Sequence, residues 1–367
     1  MSKIIIQNGN MCELDLPLKF AQKLYNEFAI RHPNAFYLRT RQRGMQNWDG
    51  KIHYITKTGQ FKIGLLPKVY DMCIEMGIKP KVVDMRQPLP KVSKVVTKIG
   101  KYKLRPEQEK AVKAVINNTI GGKPFHIGVL DYTVNAGKTL IMSSLYLSYK
   151  KQLKTLLITN DSDWLNQARE EFKQYLPGED ITFVQGKVLN WSNFTIGMVQ
   201  SISRNMRFYQ KELSQIDMVL IDEADQGGSR QYQNVITRLF NTRIRIGLSG
   251  TIYMSKLAKD KVKNMNLECF FGKVLAEFKL RDSIKKGYST KTVVKMVPGK
   301  PWYGNWESDC ISYKEIYDDS ITNSYTAWLM AYSRLRWNIN QGRYPALVVC
   351  KHIAHCENLY KFFKKKL

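Results

Sequence analysis

The chain has 367 residues, with 58 Lys and Arg against 31 Asp and Glu, and a formal charge of +27. A content of 44% hydrophobic and 11% aromatic residues excludes a disordered polyelectrolyte, and the length exceeds one ordinary core, so two or three domains are expected. The charge excess selects a polyanionic partner, either nucleic acid or an anionic membrane surface. No apolar run reaches bilayer-spanning length, and residues 1–18 lack the basic–apolar–small order of a signal peptide, which disfavours the membrane. Six scattered cysteines without CxxC pairs fit a reducing, cytoplasmic compartment.

The charge is uneven. Residues 1–100 carry 17 basic side chains against 7 acidic ones, residues 101–251 carry 20 against 14, and residues 252–367 carry 21 against 10. The middle is the least basic part, and its acids cluster in short motifs. A catalytic core flanked by polyanion-binding parts has this distribution, although a generally basic proteome would also raise the total. The breaker cluster Gln87-Pro88-Leu89-Pro90 marks a first boundary. The expected division is 1–90, 91–252 and 253–367.

In the first segment, Arg39, Arg41, Arg43 and Lys51 surround Trp48. Cations interleaved with an aromatic suit phosphate contact and base stacking. A buried Trp in a hairpin with solvated arginines beside it is the equally open alternative for Trp48.

From residue 101 strands and helices alternate. Pro106 suits a first helical turn, and residues 107–116 have helical apolar spacing. Residues 126–130 read as a strand, 138–150 as a helix, 155–158 as a strand and 164–175 as a helix. Further short apolar runs fall at 194–199, 218–221 and 244–248. This order predicts an α/β domain with a parallel sheet, whose ligands sit at the carboxyl ends of the strands.

The motifs fall at those ends. Gly137-Lys138-Thr139 supplies the end of a phosphate-binding loop: backbone N–H groups, a lysine as point charge, and a hydroxyl for Mg²⁺. Alone it is a weak signal, since Tyr132 stands where the full pattern has its first glycine. Met218–Asp222 is an apolar strand ending in Asp222-Glu223, a costly arrangement unless something cationic sits there. Asp222 would hold Mg²⁺ through water and Glu223 would orient and deprotonate the attacking water. A solvated strand end is the bland alternative. Ser249-Gly250-Thr251 closes the third strand and suits coupling to a moving neighbour. Cys350, His352, His355 and Cys356 suggest Zn²⁺, but lack a second ligand pair.

The order Gln108, Gly-Lys-Thr, Asp-Glu-Ala-Asp and Ser-Gly-Thr resembles the first motor domain of superfamily 2 helicases of the phage UvsW type and, more distantly, the XPB type. The resemblance implies a RecA-like P-loop domain, preceded by a small α+β N-terminal domain and followed by the start of a second RecA-like domain. It implies ATP and Mg²⁺ as cofactors and duplex, forked or branched DNA as partner, in DNA repair and recombination within a phage-infected host cytoplasm. By it, Arg105 and Gln108 read the adenine, and Asn135, Ala136, Gly137, Lys138 and Thr139 hold the phosphates. Thr139 and Asp222 carry Mg²⁺, and Ser249, Gly250 and Thr251 couple. Trp164, Gln167, Gln200 and Ser201 would track a DNA strand.

Two departures bear on activity. Tyr132 is expected to add bulk at the loop entrance, while Asn135 tolerates the left-handed conformation. The pattern also stops one helix into the second motor domain, before the arginine-bearing motif. A non-catalytic DNA-binding module with a vestigial ATP site, or one half of a split helicase completed by a companion polypeptide, are therefore the alternatives to an active ATPase.

Overall fold

Seven short apolar strands, almost all buried on both faces, build the centre of the molecule. The computed structural model describes residues 2–41, 45, 47–149, 152–186, 188–252, 260–291, 312–343 and 347–366. Arg43 lies outside them.

The N-terminal part consists of β1 (Lys3–Ile6), β2 (Met11–Asp15), α1 (Leu18–Glu27), β3 (Ala29–Arg31), α2 (Ala35–Arg41), β4 (Lys51–His53), β5 (Gln60–Lys62), α3 (Leu66–Glu75) and β6 (Lys81–Asp84). Its sheet has the order β5-β2-β1-β6, with β1 antiparallel to β2 and parallel to β6. Along β1 every second side chain is buried, so Ile4 and Ile6 face the core that Leu24 of α1 also enters. Strands β3 and β4 form a separate antiparallel ribbon beside α2.

The next part opens with a ribbon of β7 (Lys98–Ile99) and β8 (Tyr102–Lys103), then α4 (Pro106–Ile116), β9 (Thr119–Ile120) and β10 (Lys123–Pro124). There follow β11 (His126–Tyr132), α5 (Lys138–Ser148), β12 (Thr155–Thr159), α6 (Ser162–Tyr175), β13 (Ile181–Gln185), β14 (Val188–Leu189), β15 (Phe194–Met198), α7 (Val199–Arg204), α8 (Gln210–Ser214), β16 (Met218–Asp222), α9 (Arg230–Ile236), β17 (Ile244–Ser249), α10 (Lys261–Phe271), β18 (Val274–Phe278) and α11 (Leu280–Lys285). The sheet order is β14-β13-β15-β12-β16-β17-β11-β18; β14 is antiparallel to β13 and the other seven strands run parallel. The parallel sheet is the one the strand–helix alternation predicts, in the RecA-like arrangement that the helicase resemblance implies. Along β16, Met218 and Leu220 enter one apolar cluster with α4, α5 and α6, while Val219 and Ile221 enter the other.

The second cluster is continuous with the N-terminal core, because the two parts meet backbone to backbone. A Cβ on Gly64 would stand 2.1 Å from the carbonyl oxygen of Glu268, and one on Gly9 2.5 Å from that of Leu239. Only glycine permits such approach. Inside this contact Arg245 of β17 is fully buried and donates to Gly9 O (2.7 Å), Asn10 Oδ1 (2.7 Å) and Phe270 O (3.1 Å).

The main sheet continues past residue 252. Strand β18 extends the same sheet beyond β11, and the chain divides into compact units 1–291 and 292–367. In the second unit the described elements are helical: α12 (Tyr313–Tyr317), a π turn over Asp318–Thr322, α13 (Tyr325–Asn340) and α14 (Ile353–Lys366). Residues 347–350, in the apolar run that the helicase resemblance places at the start of the second motor domain, form no strand. The rings of His352 and His355 pack against Tyr317 at 5.2 and 6.5 Å. Among the described residues no helix is long and apolar enough to cross a membrane.

Candidate nucleotide site

Strands β16, β17 and β11 are neighbours, and their register aligns Asp131 with Ser249 and Asp222 with Leu248. The three motifs therefore meet at one carboxyl edge. The loop after β11 turns twice through the left-handed region, at Asn135 (φ 63°) and at Gly137 (φ 73°), before α5 begins at Lys138. Asn at the first of these positions accommodates the strain as its chemistry suggests. At the second, a Cβ would lie 2.4 Å from Gln108 Nε2, so glycine is required by space as well as by backbone.

Tyr132 does not crowd the loop. Its side chain is fully buried, its hydroxyl donates to Glu107 O (2.7 Å) and its ring lies 6.0 Å from Phe278. The expectation of bulk at the loop entrance is thus corrected: the backbone of β11 turns this side chain into the core, where α4 and β18 enclose it.

Gln108 and Arg105 hold the loop from behind. Gln108 Nε2 donates to Ala136 O (2.8 Å), and its Oε1 accepts from Arg105 N (2.8 Å). Arg105 Nη2 donates to Asn135 O (3.2 Å), and its guanidinium lies 4.3 Å from the centre of the Tyr288 ring. Gln108 is only 1% exposed, with both amide ends engaged. Beyond it, Lys286 pairs with Glu107 (2.7 Å) and Lys279 pairs with Asp131, tying β18 and α11 to the loop's flanks. Lys279, Lys286 and Tyr288 are not among the candidate site residues read from the sequence.

At the front, Lys138 Nζ lies 3.6 Å from Asp222 Oδ1 and 3.4 Å from Glu223 Oε1. Asp222 is 2% exposed and its Oδ1 has no hydrogen-bond partner. Burial pushes its carboxyl above the usual carboxylate range, with Lys138 acting against the shift and Glu223 adding to it. A buried carboxylate at the end of β16, whose Oδ1 makes no hydrogen bond and only the 3.6 Å ion pair with Lys138, fits a site for a hydrated divalent cation, and Thr139 follows Lys138 on the first turn of α5. Glu223 is itself left-handed (φ 49°), a strained conformation for a non-glycine residue that marks functional positions.

Ser249 Oγ donates to Asp225 Oδ1 (3.0 Å) and accepts from Thr251 N (3.2 Å). A Cβ on Gly250 would stand 3.2 Å from Thr133 Cα, so the third motif abuts the phosphate loop. The strand-tracking candidates stand further along the edge, after β12 and β15. Gln200 Nε2 donates to Asn160 O (3.2 Å), Ser201 Oγ accepts from Gly186 N (2.9 Å), and exposed Gln167 bonds Glu171 (2.8 Å). Trp164 is partly buried against the core on the α6 side.

Residues 101–254 match the family described as "Type III restriction enzyme, res subunit". In structure, the chain is similar to the UvsW helicase of bacteriophage T4, with a TM-score of 0.59 and 21% identity over 76% of this chain and 99% of that one. A second structure of T4 UvsW gives a TM-score of 0.58 and 18% identity over 100% of this chain and 73% of that one. The chain has a UvsW-type helicase fold. A search of curated protein sequences gave no match. Within the UvsW fold, the family match ends at 254, immediately after Ser249-Gly250-Thr251, so it spans the loop, the acidic pair and the third motif together.

Of the N-terminal candidates in this fold, Arg39 and Arg41 lie on α2 and Lys51 opens β4. Trp48 is half-buried, donates Nε1 to Lys51 O (2.9 Å) and meets His32 edge-on at 5.8 Å.

Proposed function

We propose that the chain is the nucleotide-hydrolysing part of an ATP-dependent DNA helicase or translocase acting on duplex or branched DNA. The observation that carries this reading is the approach of Lys138 Nζ to both Asp222 and Glu223, with Asp222 buried and its Oδ1 accepting no hydrogen bond. A lysine at a helix start, facing two carboxylates across a sheet edge, is the machinery of phosphoryl transfer from a nucleoside triphosphate.

In this reading Lys138 exchanges the carboxylates for phosphate oxygens, and the first N–H groups of α5 donate to them. Mg²⁺, when bound, neutralises charge on the phosphates; Thr139 and Asp222 are the residues to hold it. Glu223 orients water and accepts its proton. Ser249 passes the state of the acidic motif, through Asp225, to Thr251 and the chain beyond. Gln108 and Arg105 shape the loop, so base reading by Gln108 requires one of its amide ends to change partner. DNA is assigned to the basic surfaces, with Arg39, Arg41 and Lys51 as phosphate contacts and Gln167, Gln200 and Ser201 along a strand.

Tyr132 facing the core and Asn135 taking up the left-handed turn support an intact loop over a vestigial one. The experiment is ATP hydrolysis by the purified chain with and without forked DNA. Turnover that DNA increases is expected. An absence of both nucleotide binding and turnover contradicts the proposal.

A further inference from the structure

Next to half-buried Trp48, the N-terminal part exposes a different aromatic. Phe36 on α2 is 79% exposed. Its neighbour Tyr37 is already covered on one face by the Arg41 guanidinium, 4.8 Å from the ring centre. Phe36 lines a concavity of about 520 Å³ together with Arg31, Arg39, Thr40, Asp49 and Lys51. Sites for small ligands span roughly 300–1,000 Å³, which gives room for a single nucleotide.

The charges of this groove are one-sided. Arg31, Arg39 and Lys51 come from three different elements, β3, α2 and β4. The one acid, Asp49, is spent within the fold: Oδ2 meets His53 Nε2 at 2.7 Å, and Oδ1 accepts from Lys51 N at 2.9 Å. A Cβ on Gly50 (φ 79°) would stand 3.1 Å from Ala35 Cβ, so the turn before β4 packs closely against the start of α2. An exposed phenylalanine ringed by cations matches the two faces of a nucleotide, an aromatic base and an anionic phosphate.

Paired bases inside a duplex are covered by their neighbours above and below, and only an unpaired base can lie on Phe36. We infer that this groove takes an unpaired nucleotide where single-stranded DNA leaves a duplex, with the base on Phe36 and the phosphate against Arg31, Arg39 and Lys51. The N-terminal part then reads the branch itself, and duplex alone does not fill it. The inference rests on the DNA-binding reading above.

The test measures the affinity of the full chain, by fluorescence anisotropy at fixed salt, for a blunt duplex and for the same duplex carrying a single-stranded arm. The unsubstituted chain prefers the armed duplex. Phe36→Ala lowers affinity for the armed duplex about tenfold and leaves the blunt duplex unchanged, and Phe36→Trp restores the preference. Because Phe36 is exposed, its urea midpoint stays that of the unsubstituted chain. Arg39→Ala with Lys51→Ala weakens both DNAs and lowers the salt slope by ~2. An equal loss on both DNAs with Phe36→Ala, or no loss on either, overturns the inference and leaves the DNA-binding reading standing. Failure of the unsubstituted chain to bind either DNA defeats that reading, and this one with it.

Discussion

Ser249 Oγ donates to Asp225 Oδ1 across 3.0 Å, joining the end of β17 to the acidic motif after β16. Ser249 lies one strand from the phosphate loop and Asp225 follows the strand beyond, and Ser249 is fully buried. Removing the hydroxyl leaves the nucleotide contacts of Lys138 and Asp222 in place but frees Asp225. Ser249→Ala is expected to keep DNA-independent ATP turnover and to lose its stimulation by DNA. Steady-state hydrolysis across a DNA titration reads both quantities.

Tyr132→Phe tests the orientation of the residue in the first glycine's place. It removes the hydrogen bond to Glu107 O and leaves a buried carbonyl without that donor. The expected cost is about 1 kcal/mol of stability in urea unfolding, with nucleotide affinity unchanged. A large change in affinity would place the ring in the loop instead of the core.

Asp222→Asn separates stability from activity. The carboxyl of Asp222 is raised in the folded chain, chiefly by burial, so folding favours its protonated form. At pH below the unfolded value of about 3.9 the group costs nothing; the cost builds as pH rises from that value and is complete above the raised folded pKa. Asn carries no such cost. The variant is therefore expected to melt higher than the unsubstituted chain at pH 8, with the difference shrinking as pH falls, while ATP hydrolysis is lost. Thermal melts across pH and a turnover assay check the two halves.

Arg245→Met keeps side-chain volume but strands Gly9 O, Asn10 Oδ1 and Phe270 O inside the contact between the N-terminal part and the sheet. The expected loss is about 2–5 kcal/mol, read from the urea midpoint. Proteolysis within residues 1–90 should also accelerate.

Much of the sheet was legible because its strands are short apolar runs, some of them ending in the candidate site residues. Met218–Asp222 announces itself: four apolar residues and then two carboxylates leave few structural excuses. The direction of Tyr132 was hidden, because β11 is buried on both faces and offers no alternation to separate them. Arg245 stood in the run 244–248 as a visible anomaly, a cation in an otherwise apolar strand, and could have signalled a buried polar contact. Its partners could not, since Gly9 and Asn10 are more than two hundred residues away. The extension of the sheet by β18 was missed for a related reason. An edge strand placed after the last motif has only the apolar character of 274–278 to reveal it, and pairing with β11 is decided by the tertiary fold. Phe36 was overlooked beside Trp48, since sequence ranks the larger aromatic first and says nothing of which ring packs inward.

The central claim is that Lys138, Asp222 and Glu223 form a working ATPase site. Its most direct measurement compares nucleotide binding with hydrolysis in Glu223→Gln. The substitution keeps the side chain's shape and the lysine's position but removes the base that takes the proton from water. Unchanged binding of ATP together with hydrolysis reduced at least ~100-fold is the predicted result. Hydrolysis that persists at the unsubstituted rate in Glu223→Gln would contradict the account.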